Sequence, residues 1–270
     1  HAKKDLFFHV FSYEASQEML ERGNMYIVAE LQNALPNNST FLNRLSEFLQ
    51  KEYYSKEGSM QNVSERLKNT LKKANDFLGQ ETKNGNVDWL GNLHFLLLLF
   101  VPNGQEYTFY FAKAGATKLW MARSSSLVDA GKSIESAKKD ESPLKTFGNV
   151  GSGKVIPGDR IMALTQEAFE FFSKENFLQT LAQLKEEKQF KNIFKLKQKE
   201  MSQLSGILFF VLVEGVRPRK VPLPKVALPD FAFVKKKFPS FMVSEAKKRI
   251  GVLALLLFVL ILGFAVFGGK

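Results

Sequence analysis

The chain has no cysteine among its 270 residues. Disulfides, thiolate metal sites and a cysteine nucleophile are therefore excluded. Histidine is scarce too: His1, His9 and His94 are scattered, too few for a histidine-rich metal centre. His94 sits in an apolar run, where a histidine satisfied by core contacts is expected rather than a ligand. No Gly-x-Ser-x-Gly elbow is present and no histidine is placed to serve a serine nucleophile. No basic-then-apolar leader opens the chain, so no signal peptide is expected in it.

The body also lacks charge of one sign. The formal net charge is +11, but residues 216–249 hold ten Lys and Arg against Asp230 and Glu245, a local +8. Lys270 adds one, which leaves residues 1–215 at only +2. A nucleic-acid footprint is a basic stripe on the folded body. This body has no such excess, and no nucleic-acid partner is expected.

Gly148, Gly153 and Lys154 have the spacing that opens a phosphate-binding P-loop. Such a loop needs Ser or Thr next and then a helix, whose N-terminus meets the phosphate. Here Val155 follows, and Pro157 and Gly158 stand where the first helical turn belongs. The stretch reads as a glycine-rich turn between strands.

What is present in abundance is apolar sequence near the C-terminus. Residues 250–267, Ile250 to Phe267, are 18 residues without charge, fourteen of them Leu, Ile, Val or Phe. As a helix they measure about 27 Å, close to the hydrocarbon thickness of a bilayer. At roughly −0.3 to −0.6 kcal/mol for each large apolar residue, insertion is favoured by several kcal/mol. A soluble helix keeps one polar face, and this run has none, so a single membrane span is expected. Lys247, Lys248 and Arg249 abut its N-terminal end. Positive charge stays on the cytoplasmic side, which places residues 1–249 in the cytoplasm. Five of the nine prolines fall in 216–249. They forbid a helix through "RPRKVPLPKVALPDF" and imply an extended, semi-rigid spacer. The segment "FAFVKKKFPSF" suits either a solvated linker or an anionic membrane surface.

Residues 1–215 read as one mixed domain. "DLFFHVFSY" and "MYIVAEL" are strand-like. Ser39 and Thr40 are candidate caps for a helix through "FLNRLSEFLQKEYY". Val63, Leu67, Leu71, Ala74 and Leu78 share one face of a second helix. "LHFLLLLFV", 93–101, fits a strand buried on both faces. Pro102-Asn103-Gly104 then turns it into "EYTFYFAKA". "TKLWMAR", "LVDA" and "RIMALT" continue the strands, 167–204 forms one or two helices, and "GILFFVLV" is the last strand. Helices segregated from a mostly antiparallel sheet imply an α+β class.

Several of these pieces match, in order, a known pattern. "FGNVGSGKVIPGDRIMALT" resembles the segment of PP2C-type (PPM) protein phosphatases in which a small turn leads through Pro-Gly-Asp into an apolar strand. Met25 to Glu30 resemble the family's first Asp-Gly strand, and "DWLGNLHFLLLL" its central strand. "FAKAGATKLWMARSSSL" resembles its Gly-Asp-Ser segment, and "LSGILFFVLVE" its closing strand. The resemblance spans about residues 5–215. It implies a β-sandwich of two antiparallel sheets, each covered by helices. It also implies a site where aspartates hold two magnesium or manganese ions that activate water against a phosphoserine or phosphothreonine.

At each ligand position this chain departs from that pattern. Glu30-Leu31 stands for Asp-Gly, Gly115-Ala116-Thr117 for Gly-Asp-Ser, and Thr165-Gln166-Glu167 for Ser-Asp-Gly. The final Asp-Asn falls near Leu204-Ser205-Gly206, and the early Arg and Glu-Asp elements have no counterpart around Met19 to Gly23. Glu30 alone keeps a carboxylate in register, with Glu167 one place displaced. A bridged metal pair needs several carboxylates against about four positive charges. Asp159 is expected to bond its own turn rather than a metal. Neither catalytic residues nor a resident cofactor is therefore expected, and Mg or Mn would enter only if a non-standard metal site kept serine/threonine phosphatase activity. The sequence reads as three parts: a PP2C-like domain (1–215), a basic linker (216–249) and a membrane helix (250–267). The domain is expected to be a pseudophosphatase that binds a protein partner in the cytoplasm and is held at the lipid bilayer.

Overall fold

The structure, a computed structural model, describes residues 5–55, 62–124, 126–135, 145–202, 204–215 and 254–258. The first half holds β1 (Asp5–Tyr13), β2 (Asn24–Ala34), α1 (Phe41–Tyr54), α2 (Val63–Lys83), β3 (Leu93–Asn103) and β4 (Glu106–Ala114). Next come β5 (Lys118–Arg123), β6 (Ser126–Asp129), α3 (Lys132–Glu135), β7 (Gly151–Val155) and β8 (Arg160–Leu164). The remainder is α4 (Gln166–Ser173), α5 (Phe177–Ala182), α6 (Glu187–Leu196), α7 (Gln198–Met201), β9 (Leu208–Leu212) and β10 (Ala254–Phe258).

The strands form two five-stranded sheets, in the orders β1-β2-β3-β4-β7 and β10-β9-β8-β5-β6. Every pairing is antiparallel. Alternation along each strand builds the layers. On β3, Leu97 and Leu99 pack with Leu45, Leu49, Leu67 and Leu71 of α1 and α2. Leu96 and Leu98, on the opposite face, pack with Leu119, Ile161, Phe209 and Val211 of the second sheet. The far face of that sheet, with Met162, Leu164 and Phe210, is covered by Phe172, Phe190 and Phe194 of α4 and α6. The molecule is thus two antiparallel sheets packed face to face between helical layers, the α+β layering that the sequence implies.

Burial explains why the leucine-rich β3 is a strand. Leucine favours a helix by at most ~0.7 kcal/mol per residue. Full burial of each large side chain is worth roughly 1.5–3 kcal/mol. Only an extended strand between two apolar layers buries all of Phe95 to Leu99.

Local expectations are corrected in four places. Thr40 does not cap α1: its backbone is already helical (φ −94°, ψ −1°) and its side chain makes no capping bond. A 3₁₀ turn at Pro36–Asn38 leads into the helix instead. The β3–β4 connection is the pair Gly104–Gln105, because Asn103 still pairs with Glu106. Residues 167–204 break into α4 to α7, with the left-handed Asn176 (φ 57°) separating the first two. Gly151–Val155 is a strand on β4, not part of a turn. No helix follows Lys154, so the P-loop spacing is coincidental; the chain turns at residues 156–159 and runs directly into β8.

The linker 216–249, with Lys247, Lys248 and Arg249, lies outside the described residues, as do Ile250 and Phe267. Of the apolar run 250–267, only Ala254–Phe258 is described, as a strand paired with β9. Among the described residues, no helix is long and apolar enough to cross a membrane.

Candidate functional site

The inter-sheet layer turns polar at one end. Tyr26 and Val28 of β2 belong to the apolar layer. Two residues further along the same face comes Glu30, with only 4% of its surface exposed. Its cross-strand partner is His94 of β3. Gln32, next on that face, donates its Nε2–H to Glu30 Oε1 at 2.6 Å. Glu30 Oε2 is buried and has no hydrogen-bond partner. Burial pushes the Glu30 carboxyl above its ordinary range; the Gln32 bond opposes this, and the nearby charge of Glu167 adds to it.

His94 ties β3 to the turn before β5. Its Nδ1 accepts the Ala116 amide N–H at 3.0 Å. Burial lowers its pKa, so the ring is neutral near pH 7, and with Nδ1 accepting, its proton sits on Nε2. Gly115 makes room for the ring: a Cβ there would lie 2.2 Å from His94 Nδ1, on a backbone at φ +68°. Thr117, fully buried, donates its hydroxyl to the Phe95 carbonyl at 3.4 Å. The first and second sheets are pinned together at this point.

The second sheet brings the remaining positions. Lys118 pairs with Leu164, so the Ala116–Thr117 turn lies beside the start of α4. Thr165 is buried and accepts the Ile207 N–H at 3.0 Å on its hydroxyl. Glu167, in the first turn of α4, accepts the Ser205 N–H at 3.2 Å. Gln166 donates to Glu170 along its own helix at 2.7 Å. Glu30, Ala116, Gln166 and Glu167 therefore gather at one end of the sandwich, together with Ser205 from the segment before β9.

Sequence reasoning missed three contributors. Gln32 and the bonding role of His94 depend on cross-strand register, which no local pattern reveals. Lys113 had a signal, a lone lysine in the aromatic strand "EYTFYFAKA". It is 3% exposed and pairs with Leu96, on the same face as Phe109 and Phe111. A basic residue thus already occupies the layer near His94.

The donor set does not fit a pair of divalent ions. Glu30 and Glu167 are its two carboxylates, and Glu167 already holds a backbone amide. Ala116 supplies no side-chain oxygen and its N–H is engaged. Among the described residues, no group of three or more His, Cys, Asp and Glu side chains could hold a metal ion. Two negative charges at most would face about four positive ones, beside a buried lysine.

Asp159 lies elsewhere and is structural. It is 1% exposed. It accepts the Ile156 N–H at 2.8 Å and two bonds from Arg123, at 2.9 and 2.7 Å. These close the turn between β7 and β8.

No known sequence family and no curated protein matches the chain. Solved structures similar to it include PppA, a key regulatory component of T6SS in Pseudomonas aeruginosa, at 13% identity and TM-score 0.48, covering 78% of this chain and 100% of that one. The phosphatase domain of the Bacillus subtilis cell fate determinant SpoIIE is similar at 14% identity and TM-score 0.44, covering 83% and 99%. The Mycobacterium tuberculosis serine/threonine phosphatase PstP/Ppp is similar at 10% identity and TM-score 0.41, covering 75% and 96%.

Proposed function

We propose that residues 1–215 form a PP2C-like pseudophosphatase, a protein-binding or signalling module held at the cytoplasmic face of a membrane by residues 250–267. The observation that carries this reading is the state of the ligand positions. The sandwich and its polar end are built, yet the side chains there are engaged with one another and with backbone amides. Glu30 bonds Gln32, His94 bonds Ala116, Glu167 bonds Ser205 and Gln166 bonds Glu170. Such a network rigidifies the end of the sandwich and engages one oxygen of each of its two carboxylates, Glu30 and Glu167. The basic linker and the apolar run supply the tether, with the lipid bilayer as one partner and a cytoplasmic protein as the other.

The test is a manganese titration by calorimetry with the full chain, alongside hydrolysis of a generic aryl phosphate. Flat heats and no turnover are expected. Micromolar binding, with turnover abolished by Glu30→Ala, overturns the reading in favour of an active metal-dependent serine/threonine phosphatase. The unpartnered Glu30 Oε2 is the one feature that favours that alternative.

A further inference from the structure

The edge strand β1 is the least protected element of the first sheet. It is nine residues long and pairs with β2 on one side. Among the described residues nothing pairs with its other side. Edge strands are usually blunted by proline, lysine, a bulge or a short length. From Asp5 to Tyr13 there is no proline, no lysine and no arginine, and Asp5 is the only carboxylate. The bulge in the β1–β2 pairing opposes Asp5–Phe7 with Leu31–Ala34. The extra residue is therefore on β2, where Asn33 has φ 50°, and β1 carries no extra residue of its own. Its rings are ordered in a row: His9 stacks on Phe11 at 5.3 Å and Phe11 on Tyr13 at 6.4 Å.

We propose that the outer edge of β1 pairs antiparallel with β1 of a second copy of this chain, about a two-fold axis at His9, joining two first sheets into one. The unpaired backbone groups of an edge ask for an extended partner. The sequence around His9 says that the strand suits itself. In this register Phe7 faces Phe11, Phe8 faces Val10, and His9 faces His9. Aromatic and β-branched cross-strand pairs of this kind are the favourable ones. The two exposed positions of the strand, Leu6 and Ser12, are also symmetric about His9 and face each other. No pair in the register sets like charges together. A two-fold contact is isologous, and this strand meets that requirement.

The test exploits the absence of cysteine. His9→Cys places one thiol at the axis, where paired Cα atoms lie roughly 4.5–5.5 Å apart, within disulfide reach. Oxidation of this variant of the full chain in dodecyl maltoside should give a disulfide-linked dimer faster than Val87→Cys, an exposed residue (48%) outside both sheets. Equal rates overturn the proposal. A second arm uses the two exposed positions, which spares the fold. Leu6→Lys with Ser12→Lys sets lysine against lysine twice and should weaken dimerisation about tenfold by light scattering. Leu6→Glu with Ser12→Lys should restore it. A parent chain that is monomeric at all concentrations, as when its own tail or another protein covers the edge, overturns the proposal. So does a dimer indifferent to both pairs of substitutions.

Discussion

His94 Nδ1 accepts the amide N–H of Ala116 at 3.0 Å, and its ring occupies the space that a side chain on Gly115 would need. Gly115→Ala should therefore destabilise the chain by about 2–3 kcal/mol, from left-handed backbone strain and overpacking together. His94→Ala removes the ring and should lessen the cost of the alanine. It cannot abolish it, because the Leu93 carbonyl oxygen would still lie 2.6 Å from the new Cβ. Urea unfolding of both single variants and the double variant reads the coupling. Strict additivity would show that the ring and the glycine do not constrain each other.

Glu30 predicts a pH dependence with a definite sign. Its carboxyl is raised in the folded state, first by burial and then by the charge of Glu167, with Gln32 opposing. The neutral form suits the fold, so its stabilising effect is complete below the ordinary glutamate range. That effect is lost as pH climbs from there through the raised folded value. Glu30→Gln should stabilise the protein near pH 7 by about 1 kcal/mol, since an ionised oxygen no longer lacks a partner. The gain should vanish in acid. A variant less stable than the parent at neutral pH would mean that the charged form is held by something beneficial.

Arg123 and Asp159 form an asymmetric pair, the guanidinium side chain 42% exposed and the carboxylate 1%. Arg123→Ala strands a buried charge that keeps only the Ile156 amide, and should cost about 3 kcal/mol. Asp159→Asn leaves a guanidinium that water can reach and should cost closer to about 1 kcal/mol. The reverse order, measured by thermal unfolding, would show that the arginine matters for packing rather than charge.

Much of this architecture was legible in the sequence because it rests on period and burial. The apolar run of β3 and the Val63-to-Leu78 stripe of α2 leave few alternatives. β7 was not legible. "GSGKV" has almost no apolar residue, and its strand state depends on a non-local fit in which Gly151 lies under the ring of Phe111; a Cβ there would meet that ring at 2.2 Å. The breaks among α4 to α7 were hidden for a related reason. Extended Lys174 ends α4 and left-handed Asn176 re-aims the chain into α5, a tertiary outcome rather than a local preference. At the site, that Ala116 and Gln166 carry no carboxylate is plain from the sequence. Two of the bonds made there, His94 with Ala116 and Glu167 with Ser205, join residues tens of positions apart, and only the register of the sheets creates them.

Adding carboxylates offers a gain-of-binding test. Ala116→Asp with Gln166→Asp adds two to Glu30 and Glu167 at the same end of the sandwich. The double variant should bind manganese in the micromolar range, read as calorimetric heat and a rise in melting temperature with added ion. Adding Lys113→Met should tighten it further by removing a buried basic neighbour. If neither variant binds, charge is not what this end of the sandwich lacks, and its geometry has diverged as well.

The membrane reading makes opposite demands on one short segment. As part of a span, 254–258 must be helical, because hydrocarbon leaves no partner for a strand's free edge. Beside β9 the same residues are extended and share its backbone bonds. One molecule cannot do both at once, and the energies differ in kind. A five-residue pairing at a sheet edge is marginal, whereas inserting eighteen apolar residues is worth several kcal/mol. In the presence of lipid the helix should win. The full chain expressed in cells should then stay with membranes after carbonate extraction at high pH, while a chain ending at Arg249 should be released. Release of the full chain by carbonate would leave the segment to β9 and remove the anchor from the proposed function.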